Sequence, residues 1–464
     1  MIRLPFLSML ALLLGGCAVG PDYVRPQAPV PARWQAALPH EGRTVALVDW
    51  WKQFDDPLVA ELIGIAERDS PSLDQALARI RQSRAGVSVT KSALMPQGNI
   101  LADRTRGGDH PVSYEQTVRR TVFDAGWEID LFGGIRRGME AAQARLEGAE
   151  AAWHEARISL AAEVALEYTG LRSCEARLRD AESDLASRRA TERLSREKAR
   201  AGFAAPSDAS LAQASAADGA TRRLALQTEC ELGVKSLVAL TGLAEPDLRQ
   251  KLEARRAVLP RPGSLQVDGL PLRVLAARPD VAIAERALAA ASAEIGVAEA
   301  ARYPRVSLLG FVGRQSQVVD RLSGSGRVWS FGPHLDLPLF DGGRRAAQAD
   351  AAQARYEEAL AAYKGAVRKA VREVEQSLVR LGNAVEREDQ ARQATDHYDA
   401  ALAAAEKRWQ VGFGSQLELE ETRRMAVAAR SQYLGVRHDG VAAWIGLYRA
   451  VGGGWAAGVD ASSN

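Results

Sequence analysis

The stretch that decides the fold is residues 123–132, FDAGWEIDLF, in which apolar and polar side chains alternate. A period of two puts alternate side chains on opposite faces of a β-strand. Residues 331–340, FGPHLDLPLF, repeat the pattern 208 positions later. Each stretch has about the length of a tilted strand that crosses a bilayer. The predicted apolar faces are Phe123, Ala125, Trp127, Ile129 and Leu131, and Trp329, Phe331, Leu335, Leu337 and Leu339.

Each stretch is the second strand of a predicted hairpin, whose first strand opens at Pro96 or Pro304. We expect two glycine-rich segments to lie in the connecting loops, Gly107-Gly108 and Gly324-Ser325-Gly326. The hairpins then cover about 96–131 and 304–340. One such hairpin is by default a soluble one, but its repetition in an otherwise helical chain favours strands of a membrane β-barrel.

The hairpins belong to a duplication of the whole body. Matching residues recur in order at an offset of 208, and later of 210: Pro71 and Pro279, Pro96 and Pro304, Leu131-Phe132 and Leu339-Phe340, Gly202-Phe203 and Gly412-Phe413, and Gly242 and Gly452. An ordered series at one spacing indicates a repeated structural unit. We predict a first repeat over 49–260 and a second over 261–455, each with a helix, a hairpin and a long helical hairpin.

Long helices are predicted after each hairpin, over about 136–242 and 344–451, where Pro206 is the only proline. A helix of ~65 residues is roughly 100 Å long, and narrow stripes of small apolar residues pack as coiled coils. The fold class is therefore an α+β membrane protein with four strands and long coiled-coil helices per chain. Bacterial barrels need at least about eight strands. Three copies supply twelve, so we predict a homotrimer.

The N-terminus indicates export. A basic start and a short apolar run precede Gly15-Gly16-Cys17, so residues 1–16 are predicted to be a signal peptide. The Cys at the cleavage point resembles that of a bacterial lipoprotein, which predicts a covalent lipid on Cys17 as the one attached group; ordinary cleavage near Gly16 is the alternative. Residues 17–48 are rich in proline and are predicted to be an extended tether, and 456–464 a flexible tail.

Composition excludes several function classes. The 464 residues carry a net charge of +2, which is too small for a nucleic-acid-binding surface. Three cysteines are too few for a disulfide scaffold or a cysteine-rich zinc protein. The six histidines never pair at the i, i+4 spacing of a metal site, and no motif groups catalytic residues. We therefore predict no metal, no catalytic residues and no enzymatic activity.

The sequence resembles the TolC-type outer-membrane efflux channels, in particular their lipoprotein (NodT) branch. The resemblance spans essentially the whole chain and rests on the duplication and on local motifs: Gly20-Pro21-Asp22-Tyr23, Trp50-Trp51, Asp56-Pro57-Leu58, the turn at 339–344 and Val411-Gly412. It implies a trimeric 12-stranded β-barrel continued by a periplasmic α-helical barrel. It also implies a periplasmic adaptor protein and an inner-membrane pump as partners, in a tripartite resistance-nodulation-division system.

The resemblance implies an exit duct for exported small molecules. Two alternatives stay open: the channel of a type I protein secretion system, and a non-conducting coiled-coil scaffolding lipoprotein. Adaptor docking would involve the two helical turns, at Gly202, Phe203, Gly412 and Phe413. The family often carries two aspartates after the second turn, and here those positions are Glu418 and Glu421.

A gate is one prediction for these acidic residues. Glu418 and Glu421 of three chains, with Asp208 as the counterpart in the first repeat, would form a ring of like charge that favours cations. The alternative for Glu418 is helix capping, because Ser415 and Glu418 have the spacing of a capping box.

A disulfide between Cys174 and Cys230 is predicted, because both lie at equal distances from position 202, at the edge of the turn between two antiparallel helices. The alternative is two buried thiols. The second repeat has Ala384 and Gly440 at these positions, so we expect the disulfide to hold the first hairpin and leave the second free to move.

The substitution Cys17→Ser should abolish lipid anchoring, because the acylated thiol is removed. Growth with a fatty-acid analogue should label the wild-type protein only. Equal labelling of both proteins would show that Cys17 is not the attachment site.

Overall fold

The computed structural model describes residues 18–27, 31, 33–36, 51–109, 114–263, 271–320 and 322–453. Residues 1–16, Cys17 and the segment 456–464 lie outside the described residues, so the signal peptide, the acylation and the flexible tail stay predictions.

The first repeat contains α1 (Pro57–Arg68), α2 (Pro71–Ser92), β1 (Gln97–Asp109), β2 (Tyr114–Ile129), α3 (Gly134–Arg200), α4 (Pro206–Thr241) and α5 (Glu245–Glu253). The second contains α6 (Pro271–Ala276), α7 (Pro279–Ala300), β3 (Arg305–Val319), β4 (Leu322–Asp336), α8 (Arg344–Gln410) and α9 (Gln416–Ala450). The two longest helices, α3 and α8, each have 67 residues. Among the described helices, none combines the length and the apolar character that a membrane span requires.

The four strands form one antiparallel sheet in the order β1-β2-β3-β4. The two hairpins meet where β2 pairs with β3, from Gln116 opposite Val319 to Ile129 opposite Val306. The predicted four strands and long helices per chain are therefore confirmed.

The glycine-rich segments were assigned wrongly to the loops. Gly107 and Gly108 lie inside β1, and 324–326 lies inside β4, where each residue has a partner in the neighbouring strand. Extended backbone is open to every residue, so pairing with the next strand overrides the turn preference of glycine. At the other end, β4 stops at Asp336, and the predicted face residues Leu337 and Leu339 lie beyond it, beside Pro338, which cannot donate to a sheet. Likewise Leu131 lies beyond the end of β2.

The chain divides into two compact units, and neither coincides with a repeat. The first unit comprises residues up to 28, 76–152 and 282–366, and so contains the whole sheet. The second comprises 29–75, 153–281 and 367–464.

The second unit has a core of aromatic and branched side chains around the start of α1. Asp56 is fully buried, its carboxylate accepts from the Leu58 N–H at 3.1 Å, and Pro57 opens the helix. The hydroxyl of Tyr168 also donates to this carboxylate. The Asp56-Pro57-Leu58 motif is thus a helix start fixed by a buried acceptor.

The segment predicted as a tether packs against the folded body near Trp34. Trp34 is 6% exposed within the core of the second unit. The N–H groups of Gln35 and Ala36 donate to the Glu375 carboxylate at 2.7 and 2.9 Å. Residues 34–36 are therefore part of the folded body.

Candidate functional site

The two turns that join the long helices are built identically. After α3, the Gly202 N–H donates to the Ala199 carbonyl at 3.1 Å and the Phe203 N–H to the Lys198 carbonyl at 2.8 Å. This pair of bonds is a Schellman motif, which needs a left-handed residue after the helix, and Gly202 has φ of +79°.

The same bonds follow α8, where Gly412 donates to the Trp409 carbonyl at 3.2 Å and Phe413 to the Arg408 carbonyl at 2.8 Å. Each motif leaves a phenylalanine at the tip of its turn, with Phe203 83% and Phe413 86% exposed. Both rings are therefore open to contact from another protein.

The predicted gate residues lie on the first turns of the returning helices. Ser415 caps α9 by accepting from the Glu418 N–H at 3.1 Å, as the capping alternative required. The Glu418 carboxylate pairs with Arg408, and that of Glu421 with Arg424 at 2.7 Å. Glu421 is exposed and Glu418 is half-buried.

Asp208 occupies the corresponding place in α4, half-buried in the first turn. The structure thus confirms the cap at Ser415. The ring of charge needs more than one chain and stays a prediction.

A buried charge network lies behind the two turns, and the sequence pattern does not predict it. Glu420 accepts from Arg423 at 3.0 Å and from Gln416 at 3.2 Å through one oxygen, and from Ser215 and Arg188 through the other. Arg423 is 2% exposed. Removing one partner of a buried charge pair typically costs about 3–5 kcal/mol.

This network joins four helices. Arg423 of α9 also donates to Ser187 and Thr191 of α3 at 3.1 and 3.3 Å, and to Glu406 of α8 at 3.2 Å. Ser215 belongs to α4. The second hairpin, expected to be free, is therefore tied to the first at this level.

The sequence signal was ambiguous, because Glu420–Arg423 and Glu421–Arg424 are both i, i+3 pairs, one residue apart. In the structure the pair Glu420–Arg423 faces inward, beside Leu419, which is 1% exposed.

The predicted disulfide is present in the structure. Cys174 of α3 and Cys230 of α4 are bonded, with their Cα atoms 5.6 Å apart and both residues buried. In the second repeat the counterpart positions also face each other, because a Cβ on Gly440 would lie 3.5 Å from that of Ala384. The two hairpins thus share one helix register, and only the first is crosslinked.

Burial raises the pKa of Asp180 in α3, although the nearby charges of Arg430 and Arg179 lower it.

No cluster of potential metal ligands occurs among the residues that the structure describes.

A model of the outer membrane efflux protein family matches residues 62–243 and 270–453, one range in each repeat. The chain belongs to the outer membrane efflux protein family. Outer membrane protein OprJ of Pseudomonas aeruginosa is 31% identical over 461 residues, which cover 96% of this chain and 95% of OprJ. Nodulation protein T of Rhizobium leguminosarum bv. viciae is 28% identical over 451 residues, which cover 97% and 93%.

Among solved structures, the outer-membrane channel OprN aligns with a TM-score of 0.85 at 31% identity, over 95% of this chain and all of that one. These findings confirm the resemblance and the fold class. The protein is an outer-membrane efflux channel of a Gram-negative bacterium that extends into the periplasm. Members of this efflux family are transport conduits rather than enzymes.

The double substitution Ala384→Cys with Gly440→Cys should form a second disulfide, because the Cβ separation is within the usual range of about 3.5–4.5 Å. If the second hairpin must open for transport, the oxidised variant should lose efflux and regain it with reductant. Each single substitution is the matched control. Full efflux by the oxidised double variant would show that this hairpin does not splay.

Proposed function

We propose that three copies of this chain form the exit duct of a tripartite efflux pump for small molecules, anchored by a covalent lipid on Cys17. Adaptor proteins would dock at the turns and connect the duct to an inner-membrane pump. The family assignment to efflux favours this function over type I protein secretion and over a non-conducting scaffold.

The observation that carries the assembly is a difference between two equivalent aromatic residues. Phe132, at the end of the first hairpin, stacks on Tyr303 of the second repeat with ring centroids 4.7 Å apart. Its counterpart Phe340 is 93% exposed. The counterpart of Tyr303 is Met95, which is 64% exposed.

The repeat symmetry supports a matching contact with another copy. In the described sheet, β1 and β4 each have one neighbour, so each offers a free edge. An exposed edge pairs readily with a strand of another chain. Pairing β4 with β1 of the next copy would bring Phe340 towards that copy's Met95, as Phe132 meets Tyr303, and three copies would join their sheets into one of twelve strands.

Crosslinking tests this assembly. A variant with Met95→Cys and Phe340→Cys, treated with a short bis-maleimide, should give monomer, dimer and trimer bands on denaturing gels. Each single variant should give monomers, because its thiols are far from one another in the proposed ring. A ladder that stops at dimer, or continues past trimer, would contradict a closed ring of three.

Docking at the turns is tested by placing charge on the exposed rings. Phe203→Asp with Phe413→Asp should weaken adaptor docking by about tenfold, the effect of losing ~1.4 kcal/mol of binding, and so raise the accumulation of a fluorescent pump substrate in intact cells. Phe203→Leu with Phe413→Leu keeps the apolar surface and is the control. Conductance in planar bilayers should be unchanged in both variants. Unaltered accumulation with the aspartates would exclude the turns as the docking site.

The proposed charge ring is tested by Glu421→Ala, since capping does not explain this residue. Removing three like charges at a constriction should raise the resting conductance and reduce cation selectivity. Arg424→Ala removes the arginine that pairs with Glu421 but keeps the Glu421 carboxylate. Identical selectivity and conductance in Glu421→Ala and the wild type would rule out a gate at this position.

A further inference from the structure

The residues directly after Cys17 lie on the surface of the first unit, where Ala18 and Val19 are partly buried. The Val19 N–H donates to the Phe132 carbonyl at 3.1 Å, just beyond the end of β2. Ala18 lies against Gly133, where an added Cβ would come within 2.7 Å of the Ala18 Cβ. Gly133 has φ of +78°, so both its conformation and its neighbour exclude a side chain.

A second close approach follows at once. Gly20 has φ of +91°, and a Cβ placed on it would lie 2.4 Å from the Cα of Gly296 in α7. A Cβ on Gly296 would lie 3.0 Å from the Val19 carbonyl oxygen. Both glycines are therefore needed for the peptide to lie on the helix.

Arg137 holds this peptide from the side of α3. Its side chain is 6% exposed. The guanidinium donates to the carbonyls of Val19 and Gly20, each at 3.3 Å, and to the Asp22 carboxylate at 2.7 Å. Two backbone carbonyls and a carboxylate match the fixed fork of an arginine, which lysine could not reproduce.

The far end of the peptide is held by α7. The Tyr23 hydroxyl donates to the Glu285 carboxylate at 2.8 Å, and Arg25 lies 3.9 Å from it. Glu285 is 3% exposed. The Gly20-Pro21-Asp22-Tyr23 motif is thus a set of contacts to specific receiving residues.

The duplication offers an internal comparison. The counterpart of Arg137 is Arg345, which donates to Asp341. The counterpart of Gly296 is Ser88, whose Cβ would occupy the space that the peptide needs. The counterpart of Glu285 is Leu77, which has no hydrogen-bond acceptor. Gly342, after the second hairpin, has nothing within 4 Å of an added Cβ among the described residues. The receiving residues belong to one of the two equivalent places only.

We propose that residues 18–25 are a docking peptide whose receiving site, built by Phe132, Gly133, Arg137, Glu285 and Gly296, limits where the lipid on the preceding residue, Cys17, can enter the membrane. The inference rests on the proposed acylation. Cys17 directly precedes Ala18 in the chain, so the covalent backbone ties the lipid-bearing residue to the docked peptide. The lipid leaflet that takes up the acyl chains is then restricted in height relative to the sheet. Arg137 is the positioning residue.

A nitroxide at Val24→Cys measures the docking directly. Val24 is 79% exposed, and with Cys17 acylated and Cys174 bonded to Cys230 it carries the only free thiol. The label should be immobilised in the otherwise wild-type trimer. Arg137→Ala should shorten its rotational correlation time by about threefold or more, as expected when a docked segment becomes a mobile terminus. Arg345→Ala, the counterpart substitution in the second repeat, should leave it unchanged.

Two further measurements separate the possible failures. Asp22→Ala removes an exposed carboxylate whose loss cannot unfold the body, and should give an intermediate mobility. Labelling with a fatty-acid analogue is followed in every variant and should be unaffected. A nitroxide equally mobile in the wild type and in Arg137→Ala would overturn the docking. An immobilised nitroxide on a protein without the fatty-acid label would overturn the anchoring role, and with it the proposed acylation, while the docking itself would hold.

Discussion

The pairing of β2 with β3 is the constraint on which the rest of the structure depends. A lone hairpin leaves backbone donors and acceptors open along both edges and is marginally stable at best. The pairing from Gln116 and Val319 to Ile129 and Val306 closes one edge of each hairpin and turns two copies of a unit into one sheet. It also leaves β1 and β4 as the two edge strands of the same sheet, one from each hairpin. These are the two edges that the proposed ring of three copies would join.

The helical part meets a different requirement, because long helices with small apolar residues have little area to bury. The cluster near the turns consists of Leu402, Ala405, Trp409, Leu419 and Ala426. Charge contacts supplement it, with the Lys198 ammonium 4.7 Å from the Trp409 ring centre and Glu420 between two arginines. Such contacts depend on direction, so they hold the four helices in one register more strictly than alanine packing can. A rearrangement at the turns therefore has to break and replace these contacts at the same time.

The periodic features of the chain could be predicted from the sequence, and the features set by tertiary neighbours could not. Alternation at 123–132 gave β2, and equal distance from position 202 gave the pairing of Cys174 with Cys230. Gly107 and Gly108 were misplaced, because a glycine pair has the same composition in a turn and in a paired strand. The burial of Glu420 and Arg423 was invisible, since an identical pair lies one residue further on with its charges in solvent.

The single crosslink has a consequence for how the chain matures after export. Three thiols allow three different pairings, two of which would include Cys17. The proposed acylation at Cys17 would remove those two and leave the oxidising machinery of the periplasm with one possible bond, between Cys174 and Cys230. The correct pairing then needs no later reshuffling. Lipid attachment, besides anchoring the protein, would act as a protecting group that makes oxidative folding of the first helical hairpin unambiguous.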